Sequence, residues 1–112
     1  EILYEYMASA EGLSEWFADD VVEKGDDFYF SWGNGPDEKA TLIRYKPESF
    51  VRFRWEEDEG TKNYFEMTIV IDDITDDLAL NITDFCDAGD EEENRLYWEN
   101  LIENLKLKLG AS

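Results

Sequence analysis

Asp72-Asp73-Ile74-Thr75-Asp76-Asp77 and the run Asp87 to Glu93 place many carboxylates close together in the chain. Clustered side-chain oxygens are what a calcium ion takes as ligands. Neither run has the ligand spacing of an EF-hand, and both read as solvated turns, so no metal site is assigned. The sequence contains no histidine. A His-based triad, a His general base and a His-containing zinc site are therefore excluded. The one cysteine, Cys86, has no histidine to activate it and reads as a small buried or loop residue. Gly33-Asn34-Gly35-Pro36 reads as a hairpin turn and not as a phosphate loop. No catalytic constellation emerges, no cofactor is implied, and the expectation is a protein that is not an enzyme.

Asp84 is the carboxylate with a structural argument attached. Leu78, Leu80 and Ile82 precede it at alternate positions, and period-two phase turns all four side chains to one face of a strand. A carboxylate on an inward face must be paired or protonated. Asp84 is then either a polar anchor at the mouth of a cavity, or it lies past the end of the strand and bonds backbone near the start of the next helix.

The elements that would position these residues follow from hydrophobic period. Ile2 to Met7 has Ile2, Leu3, Tyr6 and Met7 spaced for one helical face. Ser9 can cap a second short helix running through Phe17, with Leu13, Trp16 and Phe17 apolar. Strands are predicted from Val21, over Asp27 to Trp32, Lys39 to Tyr45, Phe50 to Trp55, Tyr64 to Ile71, and Leu78 to Phe85. Phe28, Phe30 and Trp32 share a face, as do Val51, Phe53 and Trp55, and Phe65, Met67, Ile69 and Ile71. Arg52 and Arg54 take the opposite face, across from Glu66. The short turns between strands imply an antiparallel meander.

The last element is a helix over Glu91 to Leu109, about 28 Å long at 1.5 Å per residue. Asp90 is the predicted N-cap and Gly110 the C-cap. Glu91 to Glu93 and Lys106 with Lys108 suit the two ends of the helix dipole. Trp98, Leu101, Ile102, Leu105 and Leu109 form its apolar stripe. Leu96 and Leu107 lie on the opposite side.

Composition bounds the class. The chain has 112 residues, enough for one domain, with 43% hydrophobic and 15% aromatic residues. The net charge of −19 repels nucleic-acid phosphates and anionic lipid surfaces, so no nucleic-acid partner is expected. The simplest role of that charge is solubility. No apolar run reaches the length of a membrane span, no signal peptide is visible, and a single cysteine fits a reducing compartment. A cytoplasmic protein without membrane insertion is expected. The chain begins without Met, which leaves room for upstream residues.

Helices, strands and a long final helix follow the order of the α+β helix-grip fold, a curved antiparallel sheet wrapped around one long C-terminal helix with two short N-terminal helices. Gly12-Leu13-Ser14-Glu15-Trp16-Phe17 resembles the Gly-Leu-x-x-Trp-Phe segment of START-like domains. The nearest branch is that of the activator of the ninety-kilodalton heat-shock protein ATPase. Leu80 to Phe85, Tyr97-Trp98 and Leu101 through Leu109 resemble the final strand and helix of that branch. Trp16 to Val21 and Phe53-Arg54-Trp55 resemble small stand-alone START-like proteins of Bacteroidetes-type bacteria. The resemblance covers residues 1 to 112 as one domain. Such domains open with a strand that pairs beside the last strand, whereas this chain begins inside the first helix. That predicts a monomer for the complete protein and weak dimerisation where the strand is missing.

The resemblance implies an apolar cavity between sheet and helix that holds a small hydrophobic or lipid-like molecule. Its expected lining is Trp16, Phe30, Trp32, Phe53, Trp55, Phe65, Met67, Leu80, Ile82, Asp84, Trp98, Leu101, Ile102 and Leu105. The same aromatics can instead fill the space. A filled interior would favour the second reading, a protein-interaction module related to the chaperone activator, with a protein partner. A small enzyme of the same superfamily is the third.

Overall fold

A computed structural model describes residues 2–110. Glu1, Ala111 and Ser112 of the expected domain lie outside the described residues. Two short helices open the chain, α1 (Ile2–Ala8) and α2 (Ala10–Trp16). Ser9 stands between them and caps α2, its side chain accepting from Gly12 N at 2.9 Å. On α1 the buried residues are Leu3, Tyr4 and Met7. Ile2 is exposed and Tyr6 only half-buried. The helix is rolled by about one residue from the face expected, and the Tyr6 carbonyl, free in the last turn of α1, accepts the Trp16 indole N–H at 2.8 Å.

Six strands follow: β1 (Asp20–Lys24), β2 (Asp27–Ser31), β3 (Glu38–Lys46), β4 (Phe50–Trp55), β5 (Phe65–Ile71) and β6 (Leu78–Thr83). They form one antiparallel sheet in sequence order, the predicted meander. A register shift between Leu42 and Arg44 bends β3. One 3-10 turn, Glu56–Asp58, continues β4 where only a reverse turn was expected. In the acidic turn after β5, Asp72 Oδ1 accepts from the N–H groups of Ile74 and Thr75 at 2.8 and 2.9 Å. Those bonds hold the Asp72 carboxyl below its ordinary range. The carboxylates here shape a turn.

The concave face of the sheet carries Phe28, Phe30, Val51, Phe53, Phe65 and Met67, all buried. On the convex face, Arg52 Nε bonds Glu66 Oε1 at 2.7 Å and lies over the Tyr64 ring at 4.1 Å. That is the cross-strand pair expected.

The long helix is α3 (Glu91–Leu109). Gly110 ends it in the left-handed region at φ 79°, a conformation glycine adopts without steric cost. Asp90 occupies the N-cap position, but its side chain caps nothing. Its ψ of 7° is not the extended value that turns a capping side chain back over the helix. Trp98, Leu101 and Leu105 are buried and Ile102 half-buried. Leu109 is exposed, so the stripe is packed over two turns and not over the third. Leu96 and Leu107 are exposed on the outer side, as read from the sequence. Lys108 reaches Glu15 at 3.8 Å and links the end of α3 to α2.

Candidate functional site: the groove between β6 and α3

The space under α3 is filled by rings. Phe17, at the C-cap of α2, is the centre of the filling. Its ring stacks on Phe65 at 5.7 Å and meets the edges of Phe30 at 5.2 Å and Trp32 at 6.0 Å. It also lies 5.9 Å from Trp98 on α3. Phe53 and Phe65 stack at 5.2 Å beneath it, and Phe28 meets Phe53 edge-on at 5.1 Å. These are offset and edge-to-face arrangements that aromatic quadrupoles favour. Phe30, Phe53, Phe65, Met67 and Leu105, expected to wall a cavity, are packed core. Trp16 is also buried.

The open volume lies to one side. A solvent-open groove of about 740 Å³ runs between β6 and α3. Of the expected lining it takes Leu80, Ile82, Asp84, Trp98 and Ile102. Leu80 and Ile82 point into it because they alternate along β6. Trp98 and Ile102 reach it from α3, four residues apart on one helical face.

Asp84 stands at one end, just past the last residue of β6. Its Oδ2 accepts from Trp98 Nε1 at 2.8 Å and from Asn94 Nδ2 at 3.4 Å. Its Oδ1 accepts from Phe85 N at 2.8 Å. The strand ends before Asp84, as one of the two readings expected, but its partners on α3 are the side chains of Asn94 and Trp98, and the backbone group it bonds is that of its neighbour Phe85.

The rim is polar. Arg95 is held between Glu92 and Glu99, one helical turn away on either side. Lys106 and Glu103 complete the far end. The lining residues missed in the sequence are Asn81 and Cys86 and, on α3, Glu91, Asn94, Arg95, Glu99, Glu103 and Lys106. Those on α3 follow the 3.6-residue period, displaced to the side of the apolar stripe. Treating that flank as a second functional face would have found them.

Cys86 and Tyr97 mark the electrostatics. Cys86 is exposed beside the groove. Partial desolvation, then the charges of Glu91, Asp90, Asp84 and Asp87, push its thiol up. Tyr97 is exposed at 45%, and its hydroxyl is raised by partial desolvation first and by Asp84 and Glu38 after it. Carboxylates near the end of β6, Asp84 among them, add to both shifts after desolvation. Among the described residues, no three His, Cys, Asp or Glu side chains converge to hold a metal ion.

The other expected residues lie elsewhere. Trp32 donates its indole N–H to the Phe17 carbonyl at 3.0 Å. With Trp16 and Leu101 it lines a second depression of about 380 Å³ between α2 and the end of α3. Trp55 borders a third, of about 210 Å³, beside Glu56 and Glu57. The fourteen residues therefore do not share one cavity.

A curved meander sheet, two short helices and a long helix across the concave face define a helix-grip domain with a groove between β6 and α3. A family profile for the START-like superfamily domain matches residues 1–111, and the chain belongs to that superfamily. The solution NMR structure of a Bacteroides fragilis protein, a structural-genomics target, aligns with a TM-score of 0.68 and 31% identity. The alignment covers 96% of this chain and 79% of that one. Its source agrees with the resemblance to Bacteroidetes-type START-like proteins. No curated protein matches.

Proposed function

We propose that the chain is a non-catalytic binding domain whose groove between β6 and α3 takes a small apolar or lipid-like molecule. The observation that carries this reading is the groove itself. Its volume of about 740 Å³ falls in the range of small-molecule sites. Leu80, Ile82, Trp98 and Ile102 give it an apolar part, with Asn81 between the two β6 residues and charged groups along the α3 flank. START-like superfamily membership supports a ligand-binding role for the space between sheet and helix. The lone cysteine supports a cytoplasmic setting. No described helix is long and apolar enough to cross a membrane.

Native mass spectrometry of protein taken from its own host is the direct test, with added mass of an apolar molecule as the expected result. Binding of the neutral dye N-phenyl-1-naphthylamine tests the same groove in vitro. Ile102→Glu should abolish dye binding while the fold survives, because Ile102 is only half-buried. Bare polypeptide mass together with no dye binding would overturn the reading.

A second reading, a protein-interaction module of the chaperone-activator type, is favoured by one observation. The interior under α3 is filled by packed side chains.

A further inference from the structure

Arg44 on β3 stands directly opposite Arg52 on β4. Like charges placed directly across two strands repel and weaken the sheet. In a chain with 29 acidic and 10 basic residues, two arginines meet here where an arginine and a carboxylate could have met. Both lie on the convex face, because Arg52 alternates with the buried Val51 and Phe53. On the same face β3 adds Lys39, Thr41 and Lys46, and β4 adds Phe50 and Arg54. Five of the ten basic residues therefore stand on two neighbouring strands, with no carboxylate among the outward positions of either.

Neighbouring elements neutralise only part of this stripe. Asp27 on β2 lies 3.8 Å from Lys39, and Glu66 on β5 pairs with Arg52. Arg54 Nε donates to the Asn63 carbonyl at 2.8 Å. Arg44 and Lys46 are exposed, and no carboxylate of a described residue comes within ion-pair distance of either. The Arg44 guanidinium lies over the Phe50 ring at 5.8 Å, a contact that holds it without using its hydrogen-bond donors.

We propose that this stripe on the convex face of β3 and β4 binds a short acidic polypeptide segment of another protein. The inference goes beyond the groove, which lies on the α3 side of the sheet.

A guanidinium fork matches a carboxylate through two parallel hydrogen bonds. From Lys39 to Lys46 the stripe runs roughly 20 Å, the length of an extended segment of about six residues. Phe50 and, beside Lys39, Tyr29 place half-buried rings among the cations. Arginine with aromatic rings is the composition enriched where proteins meet proteins.

The surroundings select a short segment. Glu56, Glu57 and Asp58 follow β4 at one end of the stripe, and Asp72, Asp73, Asp76 and Asp77 follow β5 at the other. A nucleic-acid backbone or an anionic membrane extends past both ends and meets these carboxylates, whereas a segment of a few residues does not. A second copy brings its own charge of −19 and is repelled. Salt separates the two effects. The Debye length is about 30 Å at 0.01 M, where the whole chain repels an anion, and about 8 Å at 0.15 M, where the stripe acts alone. At about 1 M the length falls to about 3 Å and the stripe is screened as well.

The test is an NMR titration of the 112-residue chain with a capped eight-residue peptide that alternates Glu and Ser. Shifts should map to Arg44, Lys46 and Arg52, with Leu80 and Trp98 unmoved. Affinity should be highest near about 0.15 M salt and at least about threefold weaker at about 0.01 M and at about 1 M. The same peptide with Gln for Glu should not bind. Arg44→Glu should weaken binding by at least about tenfold. Because it turns a like-charge pair into an opposite-charge pair, it should leave the thermal midpoint no lower. Lys108→Glu, the same charge change on α3, should bind as the wild type does. No shift at the stripe with millimolar peptide, binding indifferent to Arg44→Glu, or a lower midpoint for that variant overturns the proposal. Tighter binding of oligothymidylate or of phosphatidylserine vesicles would assign the stripe to phosphates, and shifts that depend on protein concentration without peptide would assign it to a second copy; either overturns it. Arg44→Glu should leave dye binding intact and Ile102→Glu should leave peptide binding intact, so this proposal and the small-molecule reading fail separately.

Discussion

Trp98 donates its indole N–H to Asp84 Oδ2 at 2.8 Å, and so ties the second turn of α3 to the residue that follows β6. A charged acceptor makes this one of the stronger kinds of hydrogen bond. Asp84→Ala leaves a largely buried indole N–H without its acceptor, at a cost of about 1–3 kcal/mol. Urea unfolding followed by tryptophan fluorescence measures it. An unchanged midpoint would show that the bond does not hold the helix to the sheet.

Phe17 fills the volume that would otherwise be a cavity. Phe17→Ala should cost about 3–5 kcal/mol, through lost transfer energy and the void left between Phe30, Phe65 and Trp98. If the protein survives, the void should admit a small apolar probe such as benzene, detected by chemical-shift changes confined to those rings. A loss below 1 kcal/mol would mean that α2 collapses into the gap.

Gly12 sits where α2 crosses α1. A Cβ there would overlap the Glu5 carbonyl and lie 2.6 Å from Tyr6 Cα. Alanine would favour the helix by about 1 kcal/mol, but forcing backbone apart typically costs about 1–3 kcal/mol or more. Gly12→Ala should therefore destabilise on balance, seen as a lower thermal midpoint. A higher midpoint would place the helix crossing elsewhere.

Cys86 should react slowly at neutral pH. Its thiol is raised, first by desolvation and then by the carboxylates of Glu91, Asp90, Asp84 and Asp87. A raised thiol pKa favours the neutral form, so the thiolate fraction at pH 7 is smaller than in a free cysteine. The alkylation rate by iodoacetamide should rise with pH through a midpoint above that of N-acetylcysteine. Glu91→Gln should move the midpoint down. A wild-type midpoint below that of N-acetylcysteine would contradict the raised thiol described here.

What the sequence determined by itself was periodic. Alternation along Asp27 to Trp32, Phe50 to Trp55 and Leu78 to Ile82 set strand, face and, with short turns, the meander. The stripe Trp98, Leu101, Ile102 and Leu105 set the packed side of α3. These are local properties, because a side chain's face follows from its own position in a repeat. The tertiary structure alone decided the rest. Whether aromatics line a space or fill it depends on volumes contributed by distant elements, and Phe17, from outside the sheet, fills it. Asp84 found its partners ten and fourteen residues on, across a turn whose path no period specifies. The groove lies beside the predicted cavity because the packed rings occupy the space under α3 and leave open volume between that helix and β6.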